Sequence, residues 1–159
     1  GLRRPSAWTC ADAAPAASAR LDFEDPAKTL DQVLADGLQV RREVLGDAHV
    51  DRAIVSATDF TADFQELITS YAWGSIWTRP GLDRRSRSMI TLTALIALGH
   101  HEELAMHVRA ARTNGLTEDE IKEVLLQSAI YCGVPAANTA FRIAQGVLDQ
   151  MNNEPRPES

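Results

Sequence analysis

From Lys28 onward nearly every apolar residue falls on a period close to 3.6, and Pro and Gly are confined to a few punctuating sites. The first helix is expected over about Thr29–Leu45, with Leu30, Val33, Leu34, Leu38, Val40, Val44 and Leu45 as its apolar residues and Gly46 as its stop. Gly37 is a weak point inside it. The stretch Asp51–Trp73 carries Ile54, Phe60, Phe64, Leu67, Ile68 and Tyr71 and reads as two helices, because Thr58 or Asp59 can cap a new start. Trp73–Leu82 reads as a loop dense in aromatic, Gly and Pro residues. Asp83 is a plausible N-cap for the next helix, whose centre from Ile90 to Leu98 is apolar nearly all round and is therefore expected to be buried; it ends at Gly99. A helix over His100–Arg112 stops at Asn114-Gly115, and Thr117 to Glu120 form a capping box opening a helix with Ile121, Val124, Leu125 and Ile130 on its apolar face. Gly133-Val134-Pro135 breaks the chain before a last helix to about Met151. No stretch alternates apolar and polar residues, so the fold class is all-α.

Residues 1–27 lack this periodicity and are rich in Ala, Pro and Ser, the composition of a tail or linker, which leaves residues 28–152 as the domain and 153–159 as a C-terminal tail. With 45% hydrophobic residues in 159, one ordinary core can be built. A formal charge of -6 argues against a nucleic-acid partner and against an anionic membrane surface. The most apolar run, Met89–Leu98, is about half the ~20 residues a membrane span needs. Cys10 and Cys132 form neither a disulfide framework nor a CxxC motif, which fits a reducing compartment, and no signal-peptide centre is visible near the N-terminus, so a cytoplasmic protein is expected.

Candidate chemistry concentrates in Gly99–His107. At about 100° per residue His100, Glu103 and His107 share one helix face within roughly 60°. A solvated polar face would look the same, but three of the chain's four histidines crowd here, just after a strongly apolar helix. His and Glu at such spacings can ligate zinc or iron; yet HExxH is absent, since Ala105 stands four after His101, and no second Glu-x-x-His helix completes a di-iron site. No metal is expected. Arg79, Arg85, Arg87 and His49 are candidate cations for an anionic substrate, because guanidinium clamps a carboxylate through two parallel hydrogen bonds. Arg84 and Arg85 read better as surface charge, whereas Arg79 is framed by Trp77 and Pro80; His49 serves equally well as a helix-end cover, and Cys132 reads as a small buried residue rather than a nucleophile.

The strings RREVLGDAHVDRA (41–53), DFQELITSYAWGSIWTRPGLDRRSRSMITL (63–92) and ALGHHEELAMHVRAARTNGLTEDEIKEVLLQSAIYCGVPAANTAF (97–141) together resemble the γ-carboxymuconolactone decarboxylase family. The resemblance covers about Leu30–Leu148 and extends to the alkylhydroperoxidase D-like superfamily, implying a six- to seven-helix oligomeric bundle. Where peroxidase members of that superfamily carry CxxCxxxH, this chain reads His100-x-x-Glu103-x-x-x-His107; without the cysteines thiol peroxidase chemistry is lost.

The family implies cofactor-independent decarboxylation of a dicarboxylate lactone in protocatechuate catabolism, giving β-ketoadipate enol-lactone. On that resemblance His107 is the expected proton donor and Glu103 orients it or holds its proton, roles that could be exchanged. Arg79, supported by His49, would hold carboxylate or the lactone oxygen; Trp73 and Trp77 would wall the pocket; Arg87 and His100 complete the expected substrate-binding set. Family members assemble as homo-oligomers, so a trimer or hexamer is expected. The Pro/Ala-rich head without an initiating Met suits a linker behind an enol-lactone hydrolase, and equally an extended or processed start. Two other functions fit the residues: a decarboxylase or isomerase of a related lactone or keto acid, and a non-enzymatic helical assembly module using the His/Glu face as an interface.

Overall fold

A computed structural model describes residues 28–154; the expected tail at 1–27 lies outside them. Seven α-helices follow one another: α1 Leu30–Leu45, α2 Asp47–Val55, α3 Ala62–Ile68, α4 Arg84–Leu98, α5 His101–Thr113, α6 Glu118–Cys132 and α7 Val134–Asn153. Among the described residues there is no strand, and no helix is long and apolar enough to cross a membrane. The start signals act as their chemistry requires. Thr29 Oγ1 accepts from Gln32 N at 3.3 Å while Gln32 Oε1 accepts from Thr29 N at 2.8 Å. Asp83 accepts from Ser86 N, and Thr117 and Glu120 exchange the same reciprocal pair. Gly99 ends α4 in the left-handed region at φ 72°, where a side chain would be strained.

α4 to α7 form the main core around Leu92, Ile96, Leu104, Val108, Leu116, Ile121, Leu125 and Ala144, each large aliphatic contributing about 1.5–3 kcal/mol by burial. A second, smaller core joins Val40 and Val44 of α1 to Trp73 and to Ala110 of α5, with Trp77 against it. α5 therefore serves both cores, one on each side.

The sequence expectation fails in three places. Trp73–Trp77 is not loop: α3 runs on into a π-type helix over Thr69–Trp77, a wide geometry that is rare and gathers at functional sites. Hydroxyls help close it, Ser75 Oγ donating to Ser70 O at 3.0 Å and Thr78 Oγ1 to Gly74 O at 2.6 Å. α2 begins at Asp47 rather than Asp51, and the new start falls at Ala62 after a Thr58–Thr61 turn. α4 is not buried all round: Leu92 and Ile96 face the core, but Ile90 and Leu98 are exposed, as is Ile130 of α6, because α5 and α7 cover only one side of the α4/α6 pair.

Gly37, the weak point of α1, is a packing requirement. A Cβ there would stand 2.8 Å from Gly74 N and would also collide with the Thr69 carbonyl, while a Cβ on Gly74 would stand 2.9 Å from Val33 Cγ1. The two glycines let α1 and the π segment touch backbone to backbone. Gly37→Ala is expected to lower stability by about 2–3 kcal/mol through overpacking, whereas Gly146→Ala, whose Cβ meets nothing within 4 Å, should be neutral or stabilising by ~0.5–1 kcal/mol. Urea unfolding of both variants checks the contrast.

Candidate active site

The glycine contact fixes where the π segment lays its aromatic side chains. Trp73 is buried, its ring 5.1 Å from that of Trp77, and Trp77 stacks on His107 at 6.5 Å between centroids and 23° between planes. His107 projects from the middle of α5 toward this pair. Its Nδ1 is buried and has no hydrogen-bond partner among the described residues. Burial first, and the nearby His49 second, push its pKa down to about 4, while Glu103 one turn earlier pulls the other way. In the ligand-free protein His107 is a neutral imidazole at physiological pH, ready to accept a proton or hydrogen bond from whatever enters.

The other expected residues divide. His49 on α2 lies within electrostatic reach of His107 and is itself pushed down by burial, then by Arg41 and Arg52. Glu103 is exposed and acts on His107 through space. His100 is exposed at the head of α5, where its carbonyl accepts from Leu104 N. Arg79 follows the π segment; its carbonyl accepts from Arg87 Nη2 at 3.0 Å, so Arg87 is tied to the end of that segment and its Nε is buried without a protein partner. Arg85 bonds the Gly115 carbonyl and Glu120, and Arg84 pairs with Glu43 at 2.5 Å. Cys132 is a half-buried free thiol packed at the margin of the main core. No three His, Cys, Asp or Glu side chains among the described residues converge as metal ligands.

Arg41 was not singled out from the sequence. It is 6% exposed, donating to Thr69 Oγ1 and Gln65 Oε1, both at 3.1 Å and both neutral. Burial lowers its pKa, and its Nε has no hydrogen-bond partner among the described residues. Arg42 beside it is instead half-exposed and paired with Asp47 and Asp51. The one-residue, roughly 100° rotation along α1 separates the two roles; within the doublet itself nothing distinguishes them.

A helical bundle whose central helix offers a desolvated histidine to an aromatic wall matches the Carboxymuconolactone decarboxylase family model over residues 62–146, a span that holds Trp73, Trp77, Glu103 and His107. The chain is 46% identical over 125 residues, 79% of its own length and 93% of the other, to a 4-carboxymuconolactone decarboxylase of Acinetobacter baylyi. It is 44% identical over 127 residues, 78% of its length and 89% of the other, to the nitrosuccinic acid decarboxylase npaB of Metarhizium robertsii. A 4-carboxymuconolactone decarboxylase of Pseudomonas putida is 60% identical over 38 residues, 24% of this chain and 79% of that one. The chain belongs to the carboxymuconolactone decarboxylase family.

The depressed His107 has a stability consequence. Between about pH 4 and 6.5 the unfolded chain binds a proton that the native site refuses, so this contribution is complete above pH 6.5 and is lost as pH falls toward 4. A shift of that size corresponds to about 3 kcal/mol. His107→Gln should therefore flatten the fall in unfolding free energy between pH 7 and 4.5 relative to the parent, measured by urea titration at each pH; parallel curves would mean that His107 is solvated.

Proposed function

We propose that this chain is a cytoplasmic 4-carboxymuconolactone decarboxylase, converting γ-carboxymuconolactone to β-ketoadipate enol-lactone without a cofactor. The carrying observation is the likeness to the Acinetobacter enzyme of that name over 93% of its length, with the His107–Trp77 stack inside the span matched by the family model.

The substrate explains why so few protein groups are needed. Its reacting ring carbon bears a carboxylate and a carboxymethyl arm. When the C–CO2 bond breaks, the electron pair passes through the ring double bond to the lactone carbonyl, giving a furanolate-like dienolate; a proton then goes to the ring carbon beside that carbonyl. Nitrosuccinate has the same core, a carbon bearing carboxylate and a carboxymethyl arm next to an electron-accepting group. Two relatives named for these two acids fit one pocket design: hold a dianion and let the substrate accept its own electrons.

His107 serves as the proton carrier. It is neutral in the ligand-free protein, and the charge of an arriving dianion raises its pKa, so proton uptake accompanies binding. Glu103 favours the charged imidazole in the same way. Trp77 and Trp73 supply the apolar wall that strips water from the departing carboxylate, and Arg79 provides positive charge with His49 in support. Arg87 braces the end of the π segment and His100 stands outside, so neither is given a contact with substrate. The exposed apolar side of α4 and α6, with Ile90, Ile130 and Tyr131, supports assembly as a homo-oligomer, a trimer or hexamer.

Incubation with the lactone, followed by loss of its ultraviolet absorbance and by carbon dioxide release, tests the reading; absence of both in folded protein refutes it. His107→Gln should lower kcat by about 10²-fold, and a loss below tenfold moves the proton-carrying role elsewhere.

A further inference from the structure

Arg41 and Arg52 act on His49, which in turn acts on His107, and among the described residues no carboxylate pairs with either guanidinium. α2 borders a cleft of about 430 Å3 lined by His49, Arg52, Ala53, Val55 and Ser56, none of them acidic. The acids of α2 are engaged elsewhere: Asp47 and Asp51 both accept from Arg42, at 3.1 and 2.6 Å. Arg52 is exposed, and among the described residues neither it nor Arg41 has a carboxylate within ion-pair distance. Arg41 holds a buried guanidinium on two neutral acceptors with Nε unpartnered. The ionisable groups that act on His49 and its neighbour are Arg41 from α1, Arg52 from α2, and His107 from α5 with Glu103 behind it. In a chain of net charge -6, a buried guanidinium such as Arg41 with no carboxylate partner among the described residues is costly unless an anion from outside completes it.

We propose that the α2 cleft is the subsite for the carboxylate the substrate keeps, with Arg52 and His49 contacting it and Arg41 acting from beneath as a positioning charge. This rests on the decarboxylase reading above. The retained arm is assigned here rather than the leaving group because a firm ion pair would stabilise the leaving carboxylate in the ground state and slow its loss. The leaving group belongs on the apolar side, against Trp77. Arg52, exposed at the cleft, can close on the arm with two parallel hydrogen bonds; His49 lines the cleft and acts electrostatically on His107, so it passes the anion's presence on.

The test uses the folded full chain and succinate as a non-reacting dicarboxylate probe, titrated by calorimetry, together with lactone kinetics. Arg52→Gln should weaken succinate about tenfold and raise KM for the lactone by a similar factor while lowering kcat less. Arg52→Lys should recover most of the loss. Arg41→Lys should raise KM several-fold, and Arg142→Gln, at an exposed position of α7 that is not part of the cleft lining, should bind like the parent. Because Arg41 is buried, a misfolded Arg41 variant leaves the Arg52 pair to decide the matter. Succinate affinity and KM unchanged in Arg52→Gln would overturn the subsite. If succinate binding falls as expected but the parent leaves the lactone untouched, the subsite stands and the assignment of that lactone fails.

Discussion

The site depends on a contact between two backbones. α1 and the π segment meet where Gly37 faces Gly74, closer than any side chain would allow, and that approach sets the register of everything the π segment carries. Trp73 falls into the small core with Val40 and Val44, Trp77 falls on His107, and Thr69 and Gln65 come under the Arg41 guanidinium. A helix of ordinary pitch would present residues 69 to 77 on a different set of faces. The two glycines and the wide helix act as one device, whose product is a histidine shielded on one side and a buried cation on the other.

Electrostatics then gives the chemistry its direction. His107 loses its charge to burial, with His49 adding to the effect, and the His49 pKa is itself lowered by burial, then by Arg41 and Arg52. The ligand-free site thus holds positive charge on guanidinium, which cannot shed it, while the His107 imidazole stays neutral. On the function and subsite proposed above, a dianion reverses that balance: it supplies a counter-charge to Arg41 and Arg52 and favours imidazolium at the place where a carbanion needs a proton. Binding and proton loading are then one event, with the substrate's own ring as the electron sink.

Much of this fold was legible from side-chain chemistry that acts locally. The caps at Thr29, Asp83 and Thr117 and the stops at Gly46, Gly99 and Gly133 follow from hydrogen bonds and torsions within a few residues, so the sequence displays them. What escaped depends on distant partners. Trp-Gly-Ser-Ile-Trp reads as loop because Gly and aromatics crowd there, yet Gly74 is needed by Val33 on another helix. Ile90 and Leu98 are apolar like Leu92 and Ile96, and periodicity alone could not tell that one face of α4 has no cover among the described residues. Arg41 and Arg42 are adjacent and alike, and only the packing of α1 on the π segment buries one and exposes the other. Of the expected site residues, His107, Trp73, Trp77 and His49 gather around one spot, whereas Arg87 turns to a backbone carbonyl and His100 to the head of its own helix.

The proposed chemistry turns on a shielded, neutral His107 in the resting protein. Site-resolved nitrogen NMR of its imidazole across pH 4 to 8, with the signal assigned by His107→Gln, measures that state directly. A neutral imidazole down to about pH 5, titrating near 4, and gaining its proton at higher pH when succinate is added, is the predicted result. Titration near 6.5, indifferent to succinate, would contradict it.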